Sequence, residues 1–262
     1  MEDNLAATEL RSIAIKYFTK QSGKAFYEAS RKIKYQVFVT EFGWSSLKDE
    51  SGKAIARVDP FDQAGHFFLA MTEGGLPMGM VRAFHLKRGF PHRDLFEHHC
   101  CHSEFSYLMD SVCTLNSLAV LPEYRRKQFR ISDQGWSGSA ARLLMLSIIR
   151  HMEQHGVEAA ILTTDGIVPT RLCHGLGFYI IDNPIITDLR PEPLVNMGLV
   201  FGSTPHACAQ RECGMRPLLR NRRSKNYERL LSYFESCEQH ALAGRKWDSI
   251  HRNSCKGDDS RD

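Results

Sequence analysis

Apolar and polar positions sort the chain into interleaved strands and helices. Residues 11–20, RSIAIKYFTK, are rich in β-formers and end at QSG. The stretch KAFYEASRKIKYQVFVTEFGW then sets Phe26, Ala29, Ile33 and Val37 near helical spacing, which predicts a helix. A polar, Gly-containing loop, SSLKDESGKAIARVDPFDQ, follows. AGHFFLAMTEGGLPMGMVRAFHL reads as two strands hinged at Gly74–Gly75, a hairpin signal. KRGFPHRDLFEHHCCHSEFSYL is irregular or shortly helical, and DSVCTLNSLAVLP is a strand stopped by Pro122. SGSAARLLMLSIIRHMEQHG is the clearest helix, capped by Ser137 or Ser139 and followed by Gly156. VEAAILTTD reads as a buried strand and VPTRLCHGLGF as a short helix ended by Gly175 and Gly177. FYIIDNPII and LVNMGLVFG are further strands. This order predicts an α/β (α+β) fold in which a central mixed sheet carries helices on both faces. That domain is expected over residues 1–204. Residues 205–262 read as a basic linker and an amphipathic helix, YERLLSYFESCEQHAL, before a frayed polar end.

Composition narrows the classes. With 42% hydrophobic and 24% charged residues, the 262-residue chain has the make-up of a soluble globular protein with a sizeable core. A net charge of +4 is too small for the whole protein to read as a nucleic-acid binder. The excess is local: residues 205–262 hold 12 Lys/Arg against 8 Asp/Glu, and the rest of the chain is balanced. Eight cysteines without a CxxC pair or regular spacing point to a reducing compartment. The N-terminal MEDNLAATEL lacks a secretory pattern, and no apolar run approaches the ~18 residues of a membrane helix. A cytoplasmic protein is expected. The run EHHCCH, Glu97 to His102, looks like metal ligands, but zinc sites space their ligands by a few residues, so no metal is expected.

The chemistry starts at LAVLPEYRRKQFRISDQGWSGSAARLLM. Gly135, Gly138 and Ala140 stand at G-x-x-G-x-A spacing before a helix, where small residues let backbone N–H groups approach an anion. Arg125, Arg126 and Lys127 add charge where a phosphate would enter. On these residues the chain resembles the GNAT acyltransferase superfamily, whose strand with a V-x-P-x-Y-R end runs into an R/Q-x-x-G-x-G/A loop and a long helix; Gly135 stands here for the Arg or Gln of the first position. The resemblance implies a three-layer fold. It also implies that Leu118 to Val120, Arg125, Arg126, Gly135, Gly138, Ser139 and Ala140 hold acyl-CoA or acyl-phosphopantetheine on a carrier protein. Residues Gln128 to Gln134 look inserted in that loop. LCHGLGFYI matches a later family block, with Cys173 where relatives often have a general-acid Tyr.

The N-terminal half narrows the resemblance. KYQVFVTEFGW, DPFDQAGHFFLA, GMVRAFHL and GFPHRDLFEHH are similar to successive blocks of acyl-homoserine lactone synthases and the related N-acyl amino acid synthases. The similarity covers roughly residues 12–200. It implies that Phe38 and Trp44 form a lid over the acceptor site, with Asp59, Asp62 and Arg82 as a charged cluster beside it. Three family positions differ: Lys34 stands for an Arg, Arg57 for a Glu, and TLNS for E-x-S-R, so Thr114 and Ser117 replace charged ends. Those charges help the family hold S-adenosylmethionine, so their loss points away from a homoserine-lactone product and leaves acyl transfer standing.

N-acylation needs a deprotonated amine, a positioned thioester and a stabilised oxyanion. Asp59, Asp62, Arg82 and Asn116 are the catalytic candidates, with Glu41 and His66 as further bases. Main-chain N–H groups of Leu118 to Val120 would serve the thioester carbonyl. Direct transfer is preferred to an acyl-enzyme on Cys113 or Cys173, since a buried free Cys is usually a core residue. The expectation is an N-acyltransferase for a small, amino-acid-like amine. The alternatives are an autoinducer synthase using S-adenosylmethionine and a non-catalytic GNAT-like binding module. Arg220, Arg222 and Arg223 offer a basic surface for an acidic acyl carrier protein.

Overall fold

A computed structural model describes residues 10–89, 93–96, 99, 109–182, 185, 194–216 and 225–243. They fall into two compact units that interleave along the chain. The first takes Met1–Phe84, Leu115–Gln154 and Gln210–Pro217; the second takes His85–Thr114, His155–Ala209 and Leu218–Asp262.

The first unit is built on β1 (Arg11–Thr19), β2 (His66–Thr72), β3 (Pro77–His85), the second half of β4 (Val112–Val120), β5 (Gln128–Ile131) and β6 (Trp136–Ser139). Their order is β6-β5-β1-β2-β3-β4. The expected hairpin is present: β2 and β3 pair antiparallel, with Phe67 opposite Arg82 and Leu69 opposite Met80. Side chains alternate across a strand, so these four residues share one face. Helix α1 (Lys24–Lys34) and the wider helical turn that continues it over Tyr35–Glu41 cover that face. Tyr27, Ile33, Val37 and Phe38 pack there on Phe67, Leu69 and Met80. Each such buried side chain contributes roughly 1.5–3 kcal/mol. Helix α2 (Ala140–Gln154) lies on the opposite face. There a Cβ on Gly79 would stand 3.1 Å from Leu144 Cδ1 and 3.0 Å from the Ala119 carbonyl, so the packing is tight and a side chain would have to push its neighbours back by a few tenths of an ångström.

The segment expected to be an inserted loop is instead the β5–β6 hairpin. Phe129 and Ile131 are buried while Gln128 and Arg130 are exposed, the alternation of an edge strand. β5 pairs parallel with β1, Arg11 opposite Phe129, and antiparallel with β6. Gly135 makes the turn at φ 68°.

The second unit orders β4-β7-β9-β8. The first residues of β4 pair parallel with β7 (Ala159–Asp165), from Val112 opposite Ala159 to Thr114 opposite Ile161. β7 pairs antiparallel with β9 (Leu194–Val200), and β9 with the short β8 (Tyr179–Ile180). Helix α3 (Ile167–His174) ends at Gly175, as the sequence predicts. Helix α4 (Thr204–Glu212) occupies what reads as linker; the Ser203 carbonyl accepts its first bond, from Ala207, and Pro205 sits in its first turn. Helix α5 (Lys225–Ala243) matches the expected amphipathic helix. The Phe234 ring of α5 lies where a Cβ on Gly198 would be, 2.8 Å away, so β9 gives up a side chain to seat it. Among the described residues no helix is long and apolar enough to cross a membrane.

Candidate active site

Arg82 is the hub of a buried polar cluster. It projects from β3 towards α1 and is 2% exposed. Its Nη2 donates to Asp59 Oδ2 at 2.9 Å, its Nη1 to Asp62 Oδ1, and its Nε to Asn116 Oδ1 at 2.8 Å. The second Asp62 oxygen accepts from the Tyr27 hydroxyl at 2.5 Å and from the Asp59 backbone N–H at 3.0 Å. The local sequence explains the pose of the two aspartates. DPFD forms a tight helical turn over Pro60–Ala64, capped by Asp59, whose Oδ1 accepts from the Phe61 N–H at 2.9 Å. Proline at the first position fixes that turn, and the two Asp side chains bond each other's backbone reciprocally.

The environment sets the charge states. Burial alone would raise the Asp59 carboxyl, but the Arg82 guanidinium and the Phe61 N–H outweigh it and hold Asp59 below the usual carboxylate range. Burial, then the bond to Asp62, pushes the Tyr27 hydroxyl well up, so it stays a donor. Lys34 closes the same recess from the last turn of α1. It is 9% exposed, and burial, then repulsion from Arg82, brings its ammonium down to about 8. The recess is lined by Tyr27, Ser30, Arg31, Lys34, Arg57, Asp62, Phe67, Met80 and Arg82.

Asn116 sits beside a backbone anomaly. Ser117 takes φ 53°, the only non-glycine residue at positive φ among the described residues, in the middle of β4. That conformation costs on the order of 1 kcal/mol or more and is found where a site over-determines it. The Asn116 Oδ1 serves Arg82, while its Nδ2 is buried without a partner.

The remaining candidates divide. Phe38 and Trp44 stack at 4.8 Å within the core cluster, and Phe42 between them in sequence is the exposed ring, at 52%. Glu41 and Arg125 form a two-pronged ion pair, and Arg125 Nε also bonds the Val120 carbonyl at 2.8 Å. So the expected base and the expected phosphate ligand are engaged with each other. Arg126 is exposed, and Leu118 is half-buried. His66 lies on the α2 face, since its neighbour Phe67 faces Arg82; it bonds the Tyr17 hydroxyl at 3.1 Å and does not join the aspartates. Gly135 and Gly138 lie in the hairpin rather than in a loop at the helix start. Ser137 N–H bonds the Cys213 carbonyl there, and Ser139 caps α2 through the Arg142 N–H at 3.3 Å, with Ala140 its first residue. Burial pushes the Cys113 thiol far up and the Cys173 thiol up to about 12, so neither is a ready nucleophile.

Of the EHHCCH run only His99 is described; its ring nitrogens bond Asp182 at 2.9 Å and Tyr233 at 2.7 Å. Arg220, Arg222 and Arg223 lie outside the described residues. Sequence reasoning passed over Tyr27 and treated Lys34 only as a substitution. The signal was there: Tyr27, Ser30 and Lys34 fall on the apolar face of an amphipathic helix, where polar side chains need a reason.

No protein-family model and no curated protein sequence matches the chain. Solved structures do match its fold. An acyl-homoserine lactone synthase described as CoA-dependent, BjaI, solved with SAM and isopentyl-CoA, superposes with a TM-score of 0.58 at 16% identity, over 84% of this chain and 100% of that one. The acyl-homoserine lactone synthase LasI gives 0.57 at 14% identity, over 81% and 100%. FeeM, an N-acyl amino acid synthase from uncultured soil microbes, gives 0.50 at 10% identity, over 72% and 90%. The chain therefore has the mixed α/β fold of these acyltransferases, with its Arg82 cluster at the junction of β3, α1 and the Asp59–Asp62 turn.

Proposed function

We propose that this protein is an N-acyltransferase. It moves an acyl group from a thioester of coenzyme A or of a phosphopantetheine-bearing carrier protein to the amine of a small, amino-acid-like acceptor. The observation that carries this reading is the buried Arg82–Asp59–Asp62–Asn116 cluster, of which Arg82 and Asp62 line a recess, in a fold shared with enzymes of that chemistry. Ionised Asp59 attracts the acceptor ammonium and then accepts an N–H from the attacking amine, while Arg82 and Tyr27 hold the two carboxylates still. Its low pKa makes Asp59 a positioning and electrostatic group rather than a strong base, so the amine's proton leaves through water. The buried, protonated thiols favour direct attack over an acyl-enzyme. In this reading main-chain N–H groups of the second half of β4 serve the thioester carbonyl, and Arg126, which is exposed, serves the donor's phosphates.

S-adenosylmethionine as acceptor is the second reading, favoured by the lactone-synthase fold. It is opposed by Arg57, which stands for a family Glu and would face a sulfonium with like charge, and by Thr114 and Ser117, which replace charged family positions. Thiol release is the test, with acyl-CoA and acyl-carrier donors run against amino acids and S-adenosylmethionine. Release with an amino acid and mass-spectrometric detection of its N-acyl product is expected. No release with any pair overturns the proposal, and thermal stabilisation by coenzyme A without turnover would mark a binding module instead.

A further inference from the structure

Asp59 and Asp62 share one guanidinium, that of Arg82, and the negative charge left over attracts Lys34. Lys34 in turn helps to keep Asp59 ionised. Arg31 is matched by Asp49 at 2.7 Å, and Arg57 is exposed. The buried part of the recess is therefore balanced while Lys34 is charged. An acceptor ammonium drawn to Asp59 upsets that balance: two ammonium groups then face one surplus negative charge, where an unmatched cation is costly. The loss of one proton restores it. Few groups lining the recess can give one up. Arg31, Arg57 and Arg82 stay charged. The Tyr27 hydroxyl donates to Asp62 and is pushed well up. Both oxygens of Asp62 are already bonded, to Arg82, Tyr27 and the Asp59 N–H. Lys34 differs. Burial, then repulsion from Arg82, brings it down to about 8; Asp62 and Asp59 pull the other way, and Arg57 adds to the repulsion. A second ammonium beside it pushes in the same direction.

We infer that Lys34 is the proton acceptor of the reaction: entry of the acceptor ammonium sends the Lys34 proton to solvent, and neutral Lys34 then takes, through water, the proton that the amine gives up as it attacks. This rests on the acyltransferase reading and names the base within it. The protons balance. Of those on the acceptor ammonium, one goes to Lys34, one goes to the sulfur as the C–S bond breaks, and one stays on the amide made by the new N–C bond. The next acceptor to enter clears the proton from Lys34. The Arg that stands at this position in the family the chain resembles keeps its charge and has no such part to play.

The first measurement uses no thioester. The common amino acids are titrated calorimetrically into the protein at pH 7, in buffers of different ionisation enthalpy, which counts the protons released on binding. About half a proton or more should leave per amino acid bound, and none from Lys34→Arg or Lys34→Met. Two variants are used because the larger Arg side chain has to fit a buried position, whereas Met removes a buried charge. Thiol release from acyl-CoA then compares the amino acid with hydroxylamine, which is already neutral at pH 7 and needs no base before it attacks. Both variants should lose about a hundredfold or more with the amino acid and less than about threefold with hydroxylamine. Binding without proton release, release that persists in both variants, or equal losses for the two nucleophiles each overturns the inference and leaves the acyltransferase reading intact. No thiol release with any acceptor overturns both.

Discussion

Lys34 carries a cost that the fold does not need. A near-isosteric methionine would fill the same volume against Tyr27, Phe67 and Met80 without a buried charge. The folded state holds Lys34 at about 8, below its ordinary 10.5, so the unfolded chain binds more protons between those values. Its destabilising contribution is therefore full below about pH 8 and fades as pH climbs towards 10.5. Lys34→Met should accordingly raise stability at pH 7 by roughly 2–3 kcal/mol, and the gain should shrink as pH rises through that window. Urea melts at pH 7 and pH 10 check both points; no gain at pH 7 would mean that the ammonium is well solvated. A residue whose removal stabilises the molecule belongs to the site rather than the core. Asp59, Asp62 and Arg82 were legible as a cluster from the resemblance of short blocks. Their bonding to Tyr27 and Asn116 was not, because those contacts join residues 35 and 34 positions apart.

At the scale of elements, most strands and helices were written in the period of their apolar positions. α2 runs Ala140–Gln154 where the apolar spacing puts it, and the β2–β3 hairpin turns at Gly74–Gly75. The misses share a cause: a functional or linker reading took precedence over periodicity. QFRI alternates in period two, yet the glycines beside it drew attention to a phosphate loop. Likewise Ser203, Thr204 and Pro205 form a helix start that was absorbed into a charged tail. The hairpin changes what its removal means. Phe129 is 2% exposed on β5, and β5 covers the edge of β1. Deleting Phe129 to Asp133 would strip that edge, so lost activity would not report on donor choice. Phe129→Ala should cost about 3 kcal/mol, against less than ~0.5 kcal/mol for exposed Arg130→Ala, by denaturant unfolding. Equal effects would contradict a structural β5.

For the whole molecule, composition predicted a globular chain with a modest positive excess, and the excess lies after the last strand. A carrier protein is acidic, so the proposal that residues 205–262 receive one assigns donor recognition to residues other than those of the Arg82 recess. Donor choice and acceptor choice would then be separable by mutation. Charge reversal at Arg220, Arg222 and Arg223 should raise KM for an acyl-carrier donor by about tenfold and leave KM for acyl-CoA within about twofold. Steady-state kinetics with both donors check this, and parallel changes would sink the carrier role. The fold class was legible because the alternation of strands and helices restricts topology severely. The two interleaved units were not, since β4 divides between them at Thr114–Leu115 without any break in its sequence pattern.

The depressed ammonium of Lys34 also makes it the protein's own competitor for acyl groups. At pH 7 about a tenth of an amine with such a value is uncharged and nucleophilic, against under ~0.1% for an ordinary lysine. Given an acyl thioester and nothing to acylate, the site should slowly modify itself there. Peptide mass spectrometry should find the adduct on Lys34 first, and a bound acceptor should protect it. A label spread evenly over the surface lysines would mean that the thioester does not reach this recess. The depressed ammonium of Lys34 thus supplies a covalent tag for the recess it lines.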